Sequence, residues 1–161
     1  APAAAVLSDD RRHRLVLTRR WAAGPIMVTC GYNPSTADAM VNDPTIRKDM
    51  GFAQRLGCSA IVKVNLHTVR ATEPKDLRAV APPHRTCLEG HLWMAAAIKF
   101  CARYDEPFWM TWGANARNDP RVDELLVLLT QAEVRVRALE RLSDGTPAHT
   151  LLLPYSVVHK L

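Results

Sequence analysis

Hydrophobic and polar positions along the chain follow two alternating patterns, one typical of strands and one typical of helices. Short continuous apolar runs such as Ile26–Cys30 have the length and composition of strands that are buried on both faces. Between them, longer segments place apolar residues on one helical face, as Ile46, Met50 and Phe52 do within Thr45–Leu56. Strands that alternate with helices predict βαβ units, and therefore an α/β fold with three α/β/α layers around a mainly parallel sheet.

The same patterns predict the order of elements along the chain. The predicted helices are Thr45–Leu56, His84–Arg103 and Pro120–Gln131. The predicted strands are Ile26–Cys30, Ala60–Val64, Pro107–Thr111, Glu133–Leu139 and Thr150–Leu153. Segment Arg70–Pro83 is predicted to be a loop. Neither an internal repeat nor a shift in composition divides the chain, so we expect one domain over residues 1–161.

Residues 1–20 show a separate pattern that predicts a basic β-hairpin. Ala5–Leu7 and Arg14–Thr18 alternate as two strands that are joined by a polar turn. Five arginines lie in or beside the second strand: Arg11, Arg12, Arg14, Arg19 and Arg20. They fit two interpretations, namely contacts to the phosphates of a nucleic acid or a sheet edge that charge protects from pairing with other chains.

Composition and charge narrow the class of protein. With 161 residues, of which 48% are hydrophobic and 23% charged, the chain has enough apolar material for a globular core, and disorder, collagen and coiled coil are excluded. The net charge of +5 permits a nucleic-acid partner without requiring one. Since apolar runs fall short of the roughly 20 residues of a bilayer span and the N-terminus soon turns polar, we expect a cytoplasmic protein without a membrane partner. The four cysteines lack metal-ligand spacing and are expected to be reduced, buried thiols.

Polar and glycine-containing segments follow four of the predicted strands where each strand ends. These segments are Gly31-Tyr32-Asn33-Pro34-Ser35, Asn65-Leu66-His67, Trp112-Gly113-Ala114-Asn115 and Pro154-Tyr155-Ser156. Ligands of open parallel sheets bind outside the carboxyl ends of the strands, so we predict one cleft lined by Asn33, Asn65, Trp112 and Pro154. Taken singly, an Asn-Pro pair or an Asn after a strand is equally typical of ordinary loop structure.

The motifs of several common enzyme classes are absent. The sequence contains no Walker motif, GxGxxG, GxSxG or HExxH. Nucleotide hydrolysis, dinucleotide binding, serine hydrolysis and zinc proteolysis therefore lack their usual support. We expect neither a cofactor nor a metal ion.

The segments at the strand ends match, in order, the motifs of a known enzyme superfamily. Gly31-Tyr32-Asn33-Pro34-Ser35 is similar to a G-I-N-P-G motif that follows a buried strand, and Val62–Ala71 is similar to L-L-N-T-x-L-T-V-R-A. Thr111–Ala116 resembles L-W-G-x-x-A, and Leu153–Ser156 corresponds in position to a final H-P-S or N-P-S. By these motifs the chain resembles the uracil-DNA glycosylase superfamily, above all its mismatch-specific thymine/uracil branch. The run N-P-S-T-A-D is also similar to that of an uncharacterised bacterial and phage family.

The resemblance implies a uracil-DNA glycosylase-like fold and roles for individual residues. Asn33 would position the attacking water, and Asn65 would bind the Watson–Crick edge of a flipped pyrimidine. Ser35 stands where the uracil enzymes have a bulky Tyr, which leaves room for a 5-substituted pyrimidine. Leu153 stands in place of the final His or Asn that donates to the leaving base. The other residues that we predict to contact substrate are Gly31, Tyr32, His67, Arg70, Trp112 and Tyr155.

An insert at Val41–Arg47 brings further charged groups near the end of the first buried strand. Besides Thr36, it places Asp38, Asp43, Arg47 and Lys48 in this region. Asp43 fits a helix cap. Alternatively, Arg47 and Lys48 bind phosphate while Asp38 or Asp43 acts as a catalytic base, a set of groups suited to group transfer on a base.

The sequence thus favours an enzyme that acts on a pyrimidine base in DNA, by glycosylase-like hydrolysis or by group transfer in base modification. Two alternatives stay open. One is a catalytically silent module that binds nucleic acid or a nucleotide, and the other is an enzyme that acts on free nucleotides. The expected partner is single- or double-stranded DNA or a nucleotide, and the expected state is a monomer.

Overall fold

A computed structural model describes residues 2–161 and contains a six-stranded mixed sheet. The strands are β1 (Ala3–Leu7), β2 (Arg14–Arg20), β3 (Ile26–Gly31), β4 (Ala60–Asn65), β5 (Phe108–Met110) and β6 (Val136–Arg137). Their order in the sheet is β1-β2-β4-β3-β5-β6. Strands β4, β3, β5 and β6 pair in parallel, whereas β1 pairs antiparallel with β2 and β2 antiparallel with β4. The predicted α/β class is confirmed, and the hairpin extends the parallel strands into a mixed sheet.

The N-terminal hairpin forms as predicted. Its register pairs Ala3 with Arg19 and Val6 with Val16. Arg11 adopts a positive φ of 60° in the turn, where the side chain of Asp10 accepts a hydrogen bond from the Arg12 amide. This turn lets β2 lie against β4 and brings the arginine-rich strand next to the centre of the sheet.

Four α-helices connect the strands. They are α1 (Pro44–Arg55), α2 (Pro74–Arg78), α3 (Leu88–Tyr104) and α4 (Pro120–Gln131). Asp43 and Asp119 cap α1 and α4, because each side chain accepts a hydrogen bond from a backbone amide of the first turn and is followed by a proline at the first helical position. Helix α3 ends at Asp105, which has the left-handed conformation typical of a C-terminal cap.

Helices cover both faces of the sheet because side chains of the central strands alternate between the two faces. On one face, Met27 and Ile61 of the sheet are buried against Ile46 and Phe52 of α1. On the opposite face, Val28 and Val64 of the sheet are buried in one cluster with Met94 and Ile98 of α3 and Leu125 of α4. Both faces of β3 and β4 are therefore covered, and the open edge at the carboxyl ends of these strands is left for a ligand.

The prediction of a last strand at Thr150–Leu153 is wrong. Thr150–Leu152 and Tyr155–Lys160 are short 3-10 helices, and the first begins where the His149 ring accepts a hydrogen bond from the Leu151 amide. The strand predicted at Glu133–Leu139 shrinks to β6, since its partner β5 has only three residues to pair with and Glu133 turns the chain with a φ of 56°.

Two boundaries in the middle of the chain also differ from prediction. The segment Arg70–Pro83, predicted as a loop, contains the single-turn helix α2, which begins at Pro74. Helix α3 begins at Leu88 rather than His84, because Pro82–His84 forms a separate 3-10 turn. Prolines explain both differences, since they favour a helix start and interrupt a continuing helix.

Three further features concern the predicted chemistry. All four cysteines are free, with Cys30 and Cys101 buried and Cys58 and Cys87 half-buried. Over residues 2–161 no helix is long and apolar enough to cross a bilayer. In the same residues, no group of three or more His, Cys, Asp or Glu side chains is placed to hold a metal ion.

Candidate functional site

A cleft of about 550 Å³ opens at the carboxyl ends of β3 and β4. Asn33, Asn65 and Trp112 border it, as the sequence predicts, whereas Pro154 does not. The end of β3 and the loop after it supply one wall, with Gly31, Tyr32 and Ser35. The segment around α2 supplies another, with Ala71, Thr72, Leu77 and Arg78. The cleft thus lies where ligands bind in open α/β sheets.

Asn65 ends β4 and is held in one orientation at the cleft. Its side chain is 5% exposed, and its Oδ1 accepts a hydrogen bond of 3.3 Å from Nη2 of Arg14. A Cβ at Gly31 would lie 2.8 Å from Nδ2 of Asn65, so a larger residue at this position would force the amide to shift. The missing side chain at Gly31 therefore leaves space for the amide of Asn65. Within residues 2–161, the nitrogen of this amide stays free to donate.

Two of the five hairpin arginines are buried, so phosphate contact is not open to all five as the first interpretation expects. Arg14 donates to the Ala37 carbonyl as well as to Asn65, and burial lowers the pKa of Arg14 to about 10. Arg19 donates to the side chain of Asn42 and to the Asp38 carbonyl. Both residues are buried, and both donate to acceptors of the segment 37–42. The exposed members of the set are Arg11, Arg12 and Arg20.

Asn33 and Ser35 border the cleft from the loop after β3. The amide nitrogen of Asn33 donates to the carbonyls of Ala71 (2.8 Å) and Pro34 (3.1 Å), which fixes this loop to the segment before α2. Its oxygen is left as an acceptor. The hydroxyl of Ser35 lies 3.2 Å from that of Thr72, so the side chain facing the predicted 5-substituent is small and polar.

Asp43 caps α1, as one of its two interpretations predicted, and it also lines the cleft. Its Oδ1 accepts a 2.9 Å hydrogen bond from the Ile46 amide and caps α1. It is also part of the cleft wall, together with Pro44, Thr45 and Ile46 at the start of α1. A carboxylate at this position can accept a hydrogen bond from water or from a ligand while it caps the helix.

His149 borders the cleft and was missed by the sequence reasoning. Its Nδ1 accepts a 3.1 Å hydrogen bond from the Leu151 amide, so the neutral ring carries its proton on Nε2. Burial, and secondarily the positive charge of Lys63, lower the pKa of His149 below 6.5. The sequence reasoning placed Leu153 at the position of the leaving-group donor, but Leu153 packs in the core, and His149, four residues earlier, lines the cleft instead.

Lys63 is the second residue of the cleft that the sequence reasoning missed. It lies in the middle of β4 with 2% of its side chain exposed, and its Nζ is 2.8 Å from Oδ2 of the fully buried Asp49. The ammonium also donates to the Thr111 hydroxyl at 3.3 Å. The available signal was a lysine within the otherwise apolar run Ala60–Val64.

Two predicted residues at the insert, Asp38 and Arg47, lie outside the cleft lining. Asp38 accepts hydrogen bonds from the amides of Met40 and Val41, which hold its pKa below 3.8, and it faces Arg11 at the hairpin. Arg47 is exposed and donates to the Asn42 carbonyl. The structure therefore does not bring the side chains of Asp38 and Arg47 to the same cleft as Asn65.

Arg70 shapes the rim of the cleft through the backbone. Its guanidinium donates to the carbonyls of Ser35, Thr36 and Arg11. These contacts attach the hairpin turn to the loop after β3. Arg70 is thus placed to hold the rim in shape rather than to contact a ligand inside the cleft.

His67 faces away from the cleft into a cluster with Tyr32 and Asp119. Oδ2 of Asp119 lies 2.7 Å from Nε2 of His67 and accepts a 2.8 Å hydrogen bond from the Tyr32 hydroxyl. Burial, this hydrogen bond and the charge of Asp119 raise the pKa of Tyr32 to about 12. The cluster joins the loops after β3 and β4 to the cap of α4, so His67 supports the cleft from behind.

Tyr155 and Lys48 pack together on α1, outside the cleft lining. The Tyr155 ring packs edge-on against Phe52, and a Cβ at Gly51 would clash with the Tyr155 hydroxyl. Nζ of Lys48 lies 4.1 Å from the centre of the Tyr155 ring. The predicted contacts of these two residues with substrate are not supported by their position, because the last segment turns into 3-10 helices and covers α1.

Comparison with known proteins gives one match. A family model described as a protein of unknown function (DUF1643) matches residues 14–151. Neither a curated protein nor a solved structure matches the chain. The matched range contains every residue of the cleft lining, from Arg14 on β2 to Leu151 in the 3-10 helix Thr150–Leu152.

Proposed function

Since the chain belongs to the DUF1643 family, whose function is unknown, we propose its function from the chemistry of the cleft alone. We propose that the protein is an enzyme that acts on a pyrimidine base of DNA, by hydrolysis of the bond between base and sugar. One observation carries this proposal. The Asn65 amide and the ring of His149 border the same cleft at the carboxyl ends of the parallel strands.

The Asn65 amide suits the edge of a uracil-type base. With Oδ1 turned toward Arg14, its Nδ2 offers hydrogen-bond donors, and the second lone pair of Oδ1 can accept one more. Uracil and thymine present a ring N–H between two carbonyl oxygens, which is the complementary pattern. Tyr32 and Trp112 add the aromatic surface that bases favour.

The remaining cleft residues suit departure of the base. Cleavage of the bond to the sugar leaves negative charge on the base, and a donor aimed at that charge lowers the barrier. His149 supplies an N–H donor from Nε2, the role that the sequence reasoning found missing at Leu153. The Asn33 oxygen and the Asp43 carboxylate are acceptors that can orient the attacking water.

The surroundings of the cleft favour a base that is still attached to a longer substrate. Arg70 ties the hairpin turn to the rim at Ser35 and Thr36, and Arg11 and Arg12 are exposed on that turn. Cations beside the mouth of a base pocket are suited to the phosphates that flank the base. This placement favours DNA over a free base.

Mass spectrometry of oligonucleotides tests the proposal. Oligonucleotides that contain uracil, thymine or 5-hydroxymethyluracil are incubated with the protein, and the released bases and the remaining nucleosides are measured. We expect release of a free base, and His149→Ala should lower its rate by about two to three orders of magnitude. The exposed His159→Ala is the matched control and should leave the rate unchanged.

Other outcomes of the same assay overturn hydrolysis in distinct ways. A nucleoside of altered mass with its sugar bond intact would replace hydrolysis by group transfer onto the base. Binding of the oligonucleotide without any chemical change would make the chain a binding module. Turnover of nucleotides alone would assign the cleft to a small-molecule enzyme.

A further inference from the structure

A buried ion pair lies directly beneath the candidate cleft. Lys63 of β4 and Asp49 of α1 are 2% and 0% exposed, and their charged atoms are 2.8 Å apart. An ammonium group has three N–H donors. Thr111 engages one of them in a hydrogen bond, Asp49 lies at ion-pair distance without hydrogen-bond geometry, and within residues 2–161 no other acceptor is bonded to Nζ.

The cation of this pair lies on the side of the cleft. Lys63 belongs to the cleft lining and Asp49 does not. A Cβ at Gly31, which also lines the cleft, would lie 3.2 Å from Nζ, so the absence of a side chain there leaves space above the ammonium. The charge of Lys63 contributes to the lowered pKa of His149, which means that its field reaches the cleft wall.

Stability alone gives little reason for such a pair. Removing two charges from water is costly, and replacement of a buried pair by apolar residues of similar size is often neutral or stabilising. Leaving one charge without its partner, in contrast, is strongly destabilising. Asp49 therefore supplies the countercharge beside a buried ammonium.

We propose that Lys63 is a catalytic residue that stabilises negative charge on a pyrimidine ring bound in the cleft, and that Asp49 is its positioning residue. The inference rests on the proposed function, because it takes a pyrimidine as the ligand. No proton is transferred. The ammonium acts by its fixed charge, which is present before the base carries any charge of its own.

A pair of free bases at neutral pH isolates this effect. Uracil is uncharged under these conditions, whereas 5-nitrouracil is ionised because its nitro group withdraws electrons from the ring. Both are titrated into the protein by calorimetry, and the ratio of the two dissociation constants is compared between variants. In the native protein we expect 5-nitrouracil to bind about tenfold more tightly or better.

The main variant removes both charges, Lys63→Met with Asp49→Leu. It leaves no unpaired ion, so we expect a melting temperature equal to or above that of the native protein, together with loss of the preference for 5-nitrouracil. The second variant, Asp49→Asn, keeps the lysine beside a neutral partner and should keep the preference. An exposed lysine, Lys99→Met, is the matched control and should change neither the ratio nor the stability.

The outcomes separate the inference from the function on which it rests. If both bases bind and the double variant keeps the native preference, Lys63 does not act on the ligand and the inference is wrong. If the double variant fails to fold, a lost preference in Lys63→Gln with a retained one in Asp49→Asn supports the inference, and a retained preference in both overturns it. If neither base binds the native protein, the proposed base site itself is wrong, and Lys63 has no ligand to stabilise.

Discussion

At the scale of single residues, the proposed base site predicts that the small side chain of Ser35 determines which bases enter the cleft. Ser35 lies on the cleft wall with its hydroxyl 3.2 Å from Thr72. Ser35→Tyr should exclude thymine and 5-hydroxymethyluracil at a cost of about 1–3 kcal/mol while uracil still binds, because a bulky ring fills the space beside C5.

Binding of oligonucleotides that carry each base measures this preference, with Ser35→Ala as the control that removes the hydroxyl but keeps the space. An equal loss of affinity for all three bases in Ser35→Tyr would show that this residue does not face C5.

Gly31 carries a second prediction at the same scale. An added Cβ would meet Nδ2 of Asn65 at 2.8 Å and the end of Lys63 at 3.1 Å. Gly31→Ala should lower the free energy of unfolding by about 1–3 kcal/mol and weaken base binding, since both neighbours must move. Chemical denaturation and calorimetry measure the two effects. Native affinity in this variant would contradict the tight packing around Asn65.

Individual site residues differ in how far the sequence predicts them. Asn33 and Asn65 follow buried strands directly, and the carboxyl ends of parallel strands meet at one edge, so local pattern was sufficient. Lys63 and His149 depend on contacts between distant segments, Lys63 with Asp49 on α1 and His149 with Gly113 after β5. Such contacts leave no periodic signal in the chain.

At the scale of elements, Asp119 joins two loops of the cleft to the start of α4. Burial alone would raise its pKa, but hydrogen bonds from His67, the Arg121 amide and Tyr32 outweigh burial, and the pKa of Asp119 lies below 3.8. The folded-state pKa is thus below the unfolded one. The carboxylate therefore contributes stability that is fully present above about pH 3.8 and is lost as the pH falls through the folded value.

The variant Asp119→Asn tests this contribution, because asparagine still caps a helix but carries no charge. Near neutral pH, the free energy of unfolding of Asp119→Asn should be lower than that of the native protein by a constant amount. This difference should shrink in acid below about pH 3.8. Urea unfolding over a pH series measures it, with the exposed Asp123→Asn of the same helix as control. A difference that stays constant into strong acid would mean that the charge of Asp119 contributes nothing.

The elements themselves were predictable where hydrophobic pattern and caps agree. Helix α1 follows Asp43-Pro44 and has a clear apolar face, and it was located to within one residue at each end. The segment Thr150–Leu153 has the apolar composition of a strand, but β6 already lies at the edge of the sheet and the segment packs on α1 instead. The conformation of this segment is therefore set by tertiary packing and not by local propensity.

At the scale of the whole molecule, the inward turn of Arg14 and Arg19 reduces the basic surface available to DNA. The exposed set is Arg11, Arg12 and Arg20. Neutralising these three to Gln should weaken DNA binding and lower the slope of log affinity against log salt by about one for each phosphate that the protein no longer neutralises. Filter binding over a salt series measures the slope.

Three exposed cations outside the hairpin and the cleft lining provide the matched control: Lys99, Arg103 and Arg135. Their replacement by Gln changes the net charge equally but should leave most of the native slope. Equal slopes in the two triple variants would assign DNA binding to net charge and not to the hairpin.

The central claim is that the cleft holds a pyrimidine base by its polar edge, and a crystal structure with a soaked pyrimidine deoxynucleoside tests it most directly. We predict a ring in the cleft, with its Watson–Crick edge within hydrogen-bond distance of Asn65, a ring oxygen near Nε2 of His149 and C5 directed toward Ser35. A nucleoside bound with its sugar against Asn65, or at another surface while the cleft holds only solvent, would contradict the account.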